Sequence, residues 1–284
     1  MKHAVPQWLY TKVAEAYPNQ VDEIFEALNE QAEVYLRINT LKTSKENTIN
    51  ALLKEDIEAK SVENYPNAIV LKQRKNVFRT QAFQNGWFEV QDLSSQLVAS
   101  ALAVKEGMRV IDTCAGAGGK TLHLASLMKN KGQIIALDIH EWKLKELKRR
   151  AKRAGAHNIE TRVIESSKTI KRLYNGADAV LIDAPCSGLG VLKRNPDAKW
   201  KLNTDFIERV KKEQAEILNK YSKIVKENGT LVYATCSILP EENELQVQDF
   251  LAKNNNFKLE NQQIILPNKT GNDGFYIAKL NRIS

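Results

Sequence analysis

Between residues 109 and 236 the chain alternates short apolar runs with amphipathic stretches, and this constrains its fold more than any other feature. The runs "RVIDTCA" (109–115), "GQIIALDI" (132–139), "IETRVIE" (159–165), "ADAVLIDA" (177–184) and "GTLVYATC" (229–236) have the length and β-branched content of buried strands. Helical spacing marks 119–129, 141–154 and 204–225. The last of these places Ile207, Val210, Ile217, Tyr221 and Ile224 on one stripe. "PEENELQVQDFLAKN" opens on Pro240 and three glutamates, which suits a helix N-terminus. Two more strands are predicted at about 257–262 and 274–281. Strand alternating with helix predicts an α/β fold with a mostly parallel, doubly wound, Rossmann-like sheet.

Residues 1–90 read differently. "PQWLYTKVAEAY" and "QVDEIFEALNEQAE" have helical spacing, "VYLRINT" (34–40) and "AIVLK" (68–72) read as strands, and "SKENTINALLKED" (44–56) reads as a helix capped by Ser44. A small α+β domain over 1–90 is expected, followed by the Rossmann-like domain over 91–284. Charge divides the same way. Residues 1–90 carry 11 Lys+Arg against 12 Asp+Glu, while 91–284 hold 31 against 22. The excess peaks with seven bases between Lys143 and Arg153. A basic half points to a polyanionic partner, RNA or DNA ahead of membrane. A solvated helix face accounts for the same run equally well. Lys193, Arg194, Lys199 and Trp200 likewise read two ways, as a grip on an RNA backbone or as a loop with Trp200 packed beneath it.

Sheets of this kind bind ligands beyond the carboxyl ends of their strands. "DTCAGAGGKT" (112–121) ends the first such strand, and Gly116, Gly118 and Gly119 allow a sharp turn and close ligand approach. Asp138 ends the next strand, where an acid can bond both ribose hydroxyls. An adenosine-containing cofactor is implied. The dinucleotide pattern G-x-G-x-x-G fails at Thr121, and the phosphate-cradling G-x-x-x-x-G-K-T fails at Cys114. S-adenosylmethionine has no pyrophosphate to cradle, so it suits this turn best.

The chain has three cysteines, Cys114, Cys186 and Cys236, with no C-x-x-C spacing. The four histidines show no ligand spacing either, so neither a disulfide framework nor a metal site is expected. Cys186 and Cys236 lie just past the fourth and fifth strands, which are neighbours in common doubly wound layouts. Neighbouring ends bring Asp183, Cys186 and Cys236 together. The chemistry that needs such a pair is methylation at C5 of a pyrimidine, where a thiolate adds to C6 and makes C5 nucleophilic.

"DTCAGAGGKT", "ALDIHEWKL", "LIDAPCSGLGVLKRNPDAKW", "YATCSILPEEN" and "DGFYIAKL" together resemble the successive motifs of the Sun/Fmu family of RNA 5-methylcytosine methyltransferases. The likeness covers nearly all of 91–284, is weaker before it, and is nearest to the family's 16S rRNA branch. It implies S-adenosylmethionine as cofactor and RNA, rRNA first, as substrate. DNA cytosine methyltransferases use the cysteine of a Pro-Cys motif as nucleophile, and this RNA family uses that of Thr-Cys-Ser. The resemblance therefore implies Cys236 as nucleophile, Cys186 assisting breakdown of the adduct, and Asp183 contacting base or cofactor. Cys114, Ala115, Gly116, Ala117, Gly118, Gly119, Lys120 and Asp138 would line the cofactor pocket. Ala117 stands where the family usually has proline. The third strand usually ends in an aspartate near the adenine, and here Glu165 is the expected substitute, with Ser166 the alternative. The extra N-terminal helical domain of many members is not present in these residues, which implies a shorter chain or altered substrate recognition. Two other readings stay open: the same chemistry on tRNA, and a non-catalytic RNA-binding or ribosome-assembly factor that keeps the fold. No apolar run reaches the ~20 residues of a membrane span, and the start has no secretory pattern. A cytoplasmic monomer without metal is expected.

Overall fold

Strands buried on both faces organise the larger part of the molecule. The structure, a computed structural model, describes residues 3–284. The chain begins with α1 (Gln7–Ala16), α2 (Val21–Asn29), β1 (Tyr35–Ile38), α3 (Lys45–Leu53), β2 (Ala59–Val62), β3 (Tyr65–Leu71), α4 (Gln81–Gln84) and β4 (Phe88–Val90). It continues with α5 (Leu93–Ala101), β5 (Arg109–Asp112), α6 (Gly119–Leu127), β6 (Gln133–Asp138), α7 (Glu141–Ala154), β7 (Ile159–Val163), α8 (Ser167–Lys171) and β8 (Ala177–Asp183). It closes with α9 (Ala198–Lys201), α10 (Thr204–Tyr221), β9 (Val225–Thr235), α11 (Glu244–Lys253), β10 (Phe257–Ile265), α12 (Pro267–Thr270) and β11 (Phe275–Arg282).

The large sheet has the order β10-β11-β9-β8-β5-β6-β7. The pairs β5–β6, β5–β8, β6–β7 and β8–β9 are parallel, and β11 inserts antiparallel between β9 and β10. The central strands are apolar on both sides because both sides are covered. Val110, Leu181 and Val232 face a core with Val98, Leu124 and Leu147 from α5, α6 and α7. Ile111, Val180 and Tyr233 face another with Leu218, Val247 and Phe250 from α10 and α11. This is the doubly wound α/β sheet that the strand–helix alternation predicts. Strand order reverses between β5 and β8, which opens a crevice above their carboxyl ends.

Two of the boundaries that differ from the sequence reading have a local cause. Helix α10 stops at Tyr221, a 3-10 turn covers Ser222–Ile224, and β9 starts at Val225 rather than 229. Left-handed Asn228 (φ 60°) and a register shift between Ala177 and Ala179 accommodate the early start. The helix expected from Pro240 splits into a 3-10 turn, Pro240–Glu242, and α11. Asn243 stands at the break because its side chain accepts from Thr235 Oγ1 (2.5 Å) and donates to the Ser237 carbonyl (3.0 Å).

The smaller sheet is antiparallel, ordered β2-β3-β1-β4, and includes strands β2 and β4 that the sequence reading did not anticipate. Ser44 caps α3, as expected, by accepting from Asn47 N. Helices α1 and α2 contribute to a separate apolar cluster. Their Leu9, Val13, Ile24 and Phe25 share a core with Leu189, Leu192, Ile207, Ile238 and Leu239, close to both cysteine turns. No helix among the described residues is long and apolar enough to cross a membrane.

Candidate active site

Each cysteine turn begins where its strand ends. Asp183 is the last residue of β8 and Thr235 of β9, and their parallel pairing aligns Asp183 with Ala234. The turns that follow bring Cys186 Sγ to 3.3 Å from Cys236 Sγ, with both residues half-buried. Beside them Lys120 Nζ donates to Asp183 Oδ2 at 2.6 Å and lies 5.4 Å from the centroid of Phe275. Burial alone would lower the pKa of Lys120, but the charge and hydrogen bond of Asp183, with Cys236 and Asp112 behind it, raise it. The ammonium is thus held by the Asp183 carboxylate and senses the charge of Cys236.

Cys186 is pushed well above the ordinary thiol range, first by its hydrogen bond to Cys236, then by burial and by the charges of Cys236 and Glu242. Cys114 is pushed up too, by burial and by Asp112. A thiol so held is a poor nucleophile.

The glycine turn sits under the crevice. Gly118 (φ +89°) caps α6, and a Cβ there would meet Leu147 Cγ at 2.5 Å, so glycine is required. Gly116 (φ +55°) has open space in front of it and donates its N–H to Asp138 Oδ2 at 2.9 Å. Asp138 Oδ1 accepts from His140 N at 2.8 Å. A cavity of about 450 Å³ opens here, lined by Cys114, Gly116, Asp138 and Asp183 among the expected residues. Ala115, Ala117, Gly118, Gly119 and Lys120 shape the turn behind it. Glu165 is exposed beyond β7 and does not line the cavity, whereas the adjacent Ile164 does; Ser166 caps α8.

The sequence reading missed Ile139, His140 and the face of α10 that carries Glu213, Glu216, Ile217 and Lys220. The α10 stripe, which includes Ile217, is legible as amphipathic, but nothing local says that Glu213, Glu216 and Lys220 beside it cover the cavity. The softer basic signals are resolved into internal contacts. Arg194 pairs with Asp92 and Asp273, Lys199 is buried against Asn29 Oδ1, and Trp200 is exposed rather than packed beneath the loop. On α7, Arg150 and Arg153 both pair with Glu89 of β4, and Arg150 Nη1 also donates to the Ala117 carbonyl at 2.8 Å. A second cavity of about 530 Å³ lies between that helix and the small sheet, lined by Phe78, Phe83 and Arg153. It shares no residue with the thiols or the glycine turn.

Asp112, fully buried beneath the turn, accepts from Thr121 Oγ1 at 2.7 Å, and its Oδ1 has no hydrogen-bond partner among the described residues. Burial pushes its carboxyl up to about 7, against the opposing pull of Thr121. An unfolded aspartate titrates near ~3.9. The folded state therefore holds an extra proton. The stability this confers is complete below the unfolded pKa and is lost as pH rises towards about 7. Asp112→Asn removes the titration. Urea unfolding from about pH 4 to 8 should show the wild type losing stability relative to this variant up to about pH 7, then a constant difference. A difference independent of pH would refute the buried proton.

Comparison with known proteins agrees with this geometry. A family model described as 16S rRNA methyltransferase RsmB/F matches residues 99–281, and a second, for the ferredoxin-like domain of such proteins, matches residues 5–78. The chain is 37% identical over 281 residues to "Ribosomal RNA small subunit methyltransferase B" of Proteus mirabilis, covering 98% of this chain and 65% of that protein. It spans about two thirds of the length of the curated relatives it matches. Among solved structures, PH0851 superposes with a TM-score of 0.95 at 33% identity, covering 99% of this chain and 67% of that one. NSun6 from Pyrococcus horikoshii superposes at 0.91 over the full length of both chains, and at 24% identity this likeness speaks to fold alone.

Proposed function

We propose a function from one premise: the chain belongs to the 16S rRNA methyltransferase RsmB/F family. It transfers a methyl group to C5 of a cytosine in RNA, with 16S rRNA as the favoured substrate and the cytoplasm as its place of action. The observation that carries this reading is the thiol pair at 3.3 Å beside the Lys120–Asp183 ion pair. A binding module needs neither thiol. All these groups come from one chain, so a monomer suffices. Residues 91–284 are assigned the chemistry, and the sheet of residues 1–90 the positioning of RNA.

The cavity fits S-adenosylmethionine. Its volume of about 450 Å³ lies within the ~300–1,000 Å³ of small-molecule sites. Gly116 leaves open space, and the Asp138 carboxylate keeps acceptor capacity for ribose hydroxyls after taking two backbone N–H groups. Ile139 and Ile164 offer apolar walls to the adenine. When bound, the cofactor supplies a methyl group activated on a sulfonium.

The chain's own residues do the rest. Cys236 adds to C6 of the cytosine through its thiolate. Cys186, held protonated, donates to that sulfur. After methyl transfer the C5 proton leaves to solvent, its bonding pair re-forms the C5–C6 double bond, and Cys236 leaves C6 as thiolate; the Cys186 thiol, 3.3 Å away, assists by donating to the departing sulfur. Asp183 lines the cavity on one side and anchors Lys120 on the other, so it serves both halves of the site.

Incubating the protein with labelled S-adenosylmethionine and 16S rRNA, small subunits or tRNA tests this directly. Label is expected in the rRNA substrates, at a cytosine that bisulfite sequencing reads as C5-methylated. Label in tRNA alone would move the substrate, and label in none would sink the activity.

A further inference from the structure

Both cysteine motifs continue with serine, and the structure gives a reason. Glu242, at the end of the 3-10 turn after β9, is completely buried. No Lys or Arg pairs with it among the described residues. Its Oε1 instead accepts from Ser187 Oγ and from Ser237 Oγ, each at 2.5 Å. Its Oε2 accepts from Ser187 N at 2.8 Å and from Gln214 Nε2 at 3.0 Å. The two turns use the carboxylate in the same way. Leu189 N returns a hydrogen bond to Ser187 Oγ (3.4 Å), and Leu239 N returns one to Ser237 Oγ (3.1 Å). A buried carboxylate is tolerated only when its oxygens are well bonded. Here every donor except Gln214 comes from the residue next to a site cysteine, and Gln214 itself also holds the Pro185 carbonyl at 2.9 Å.

We propose that Glu242 is the positioning residue of the thiol pair: through Ser187 and Ser237 its one carboxylate fixes where Cys186 and Cys236 stand relative to each other. It touches neither substrate nor cofactor. The Glu242 charge also raises the Cys186 pKa, after the larger effects of the hydrogen bond to Cys236, burial and the Cys236 charge. The catalytic consequence rests on the adduct reading above, but the geometry can be tested without RNA.

Glu242→Gln keeps the volume and removes the charge and two acceptor positions. Its kcat is expected to fall ~10²-fold while cofactor affinity and the KM for RNA stay within about twofold, because only the thiols are misplaced. Ser187→Ala and Ser237→Ala should each lower kcat in the wild-type background and add little to Glu242→Gln, since all three act through one carboxylate. Full additivity would overturn the proposal. The second readout is iodoacetamide alkylation of Cys186 and Cys236, followed separately by peptide mass spectrometry. The ratio of the two rates should move by ~10-fold in Glu242→Gln and in the Ser187→Ala/Ser237→Ala pair. The pair keeps this readout if Glu242→Gln fails to fold. An unchanged ratio in every folded variant would also overturn the proposal. A shifted ratio in a protein that methylates no RNA would sink the adduct reading and leave the positioning role standing.

Discussion

Replacing Cys236 with alanine lowers methyl transfer by ~10⁴-fold or more, with cofactor affinity within about twofold of wild type. The size of the effect follows from the chemistry. C5 of an aromatic pyrimidine has almost no nucleophilicity, and without a sulfur on C6 no remaining group supplies it. Cys186 is near enough to substitute but is held protonated by its neighbours. Cofactor affinity is spared because Cys236 does not line the cavity. Single-turnover transfer of labelled methyl measures the first quantity and calorimetry the second. Wild-type turnover in Cys236→Ala would rule out Cys236 as the nucleophile.

Cys186→Ala behaves in the opposite way. It should still form the adduct and then fail to release it. Most of the enzyme is expected to accumulate as a protein–RNA species that survives denaturation, with product formation limited to about one turnover per enzyme. A denaturing gel reads the shifted band, and methyl counting reads the burst. A shifted band from Cys236→Ala, with none from Cys186→Ala, would exchange the two roles. No band from either would leave the division of labour without support.

Much of this site is legible in the sequence. The strand–helix alternation fixes the doubly wound class, and placing the fourth and fifth strands side by side brings the thiols together. Both inferences work because they use local periodicity and a strong topological regularity. The insertion of β11 between β9 and β10 is not local, and its sequence looks like any short strand. Glu242 reads as one of three glutamates at a helix N-terminus, where an acid is expected for electrostatic reasons alone. Its burial depends on two serines about fifty residues apart in sequence meeting across one carboxylate, which periodicity does not encode. Lys199 and Arg194 carry the charge pattern of a nucleic-acid grip. Whether a base faces solvent or an internal acid is decided by elements far away in the chain, here Asn29, Asp92 and Asp273.

The bracing of the glycine turn from outside its own sheet has a consequence for how the chain can be divided. Arg37 of β1, fully buried, donates to the Gly119 carbonyl at 2.7 Å, while Arg150 holds Ala117 and is itself held by Glu89. Helices α1 and α2 meanwhile cover Leu189, Leu192, Ile207, Ile238 and Leu239. A cut near residue 90 respects the rhythm of the sequence but severs both attachments. The severed catalytic half would keep every reactive group, yet it would expose an apolar patch under its cysteine turns and lose the clamp behind its cofactor loop. The Rossmann-like half alone is therefore expected to be less soluble and less stable than the whole chain.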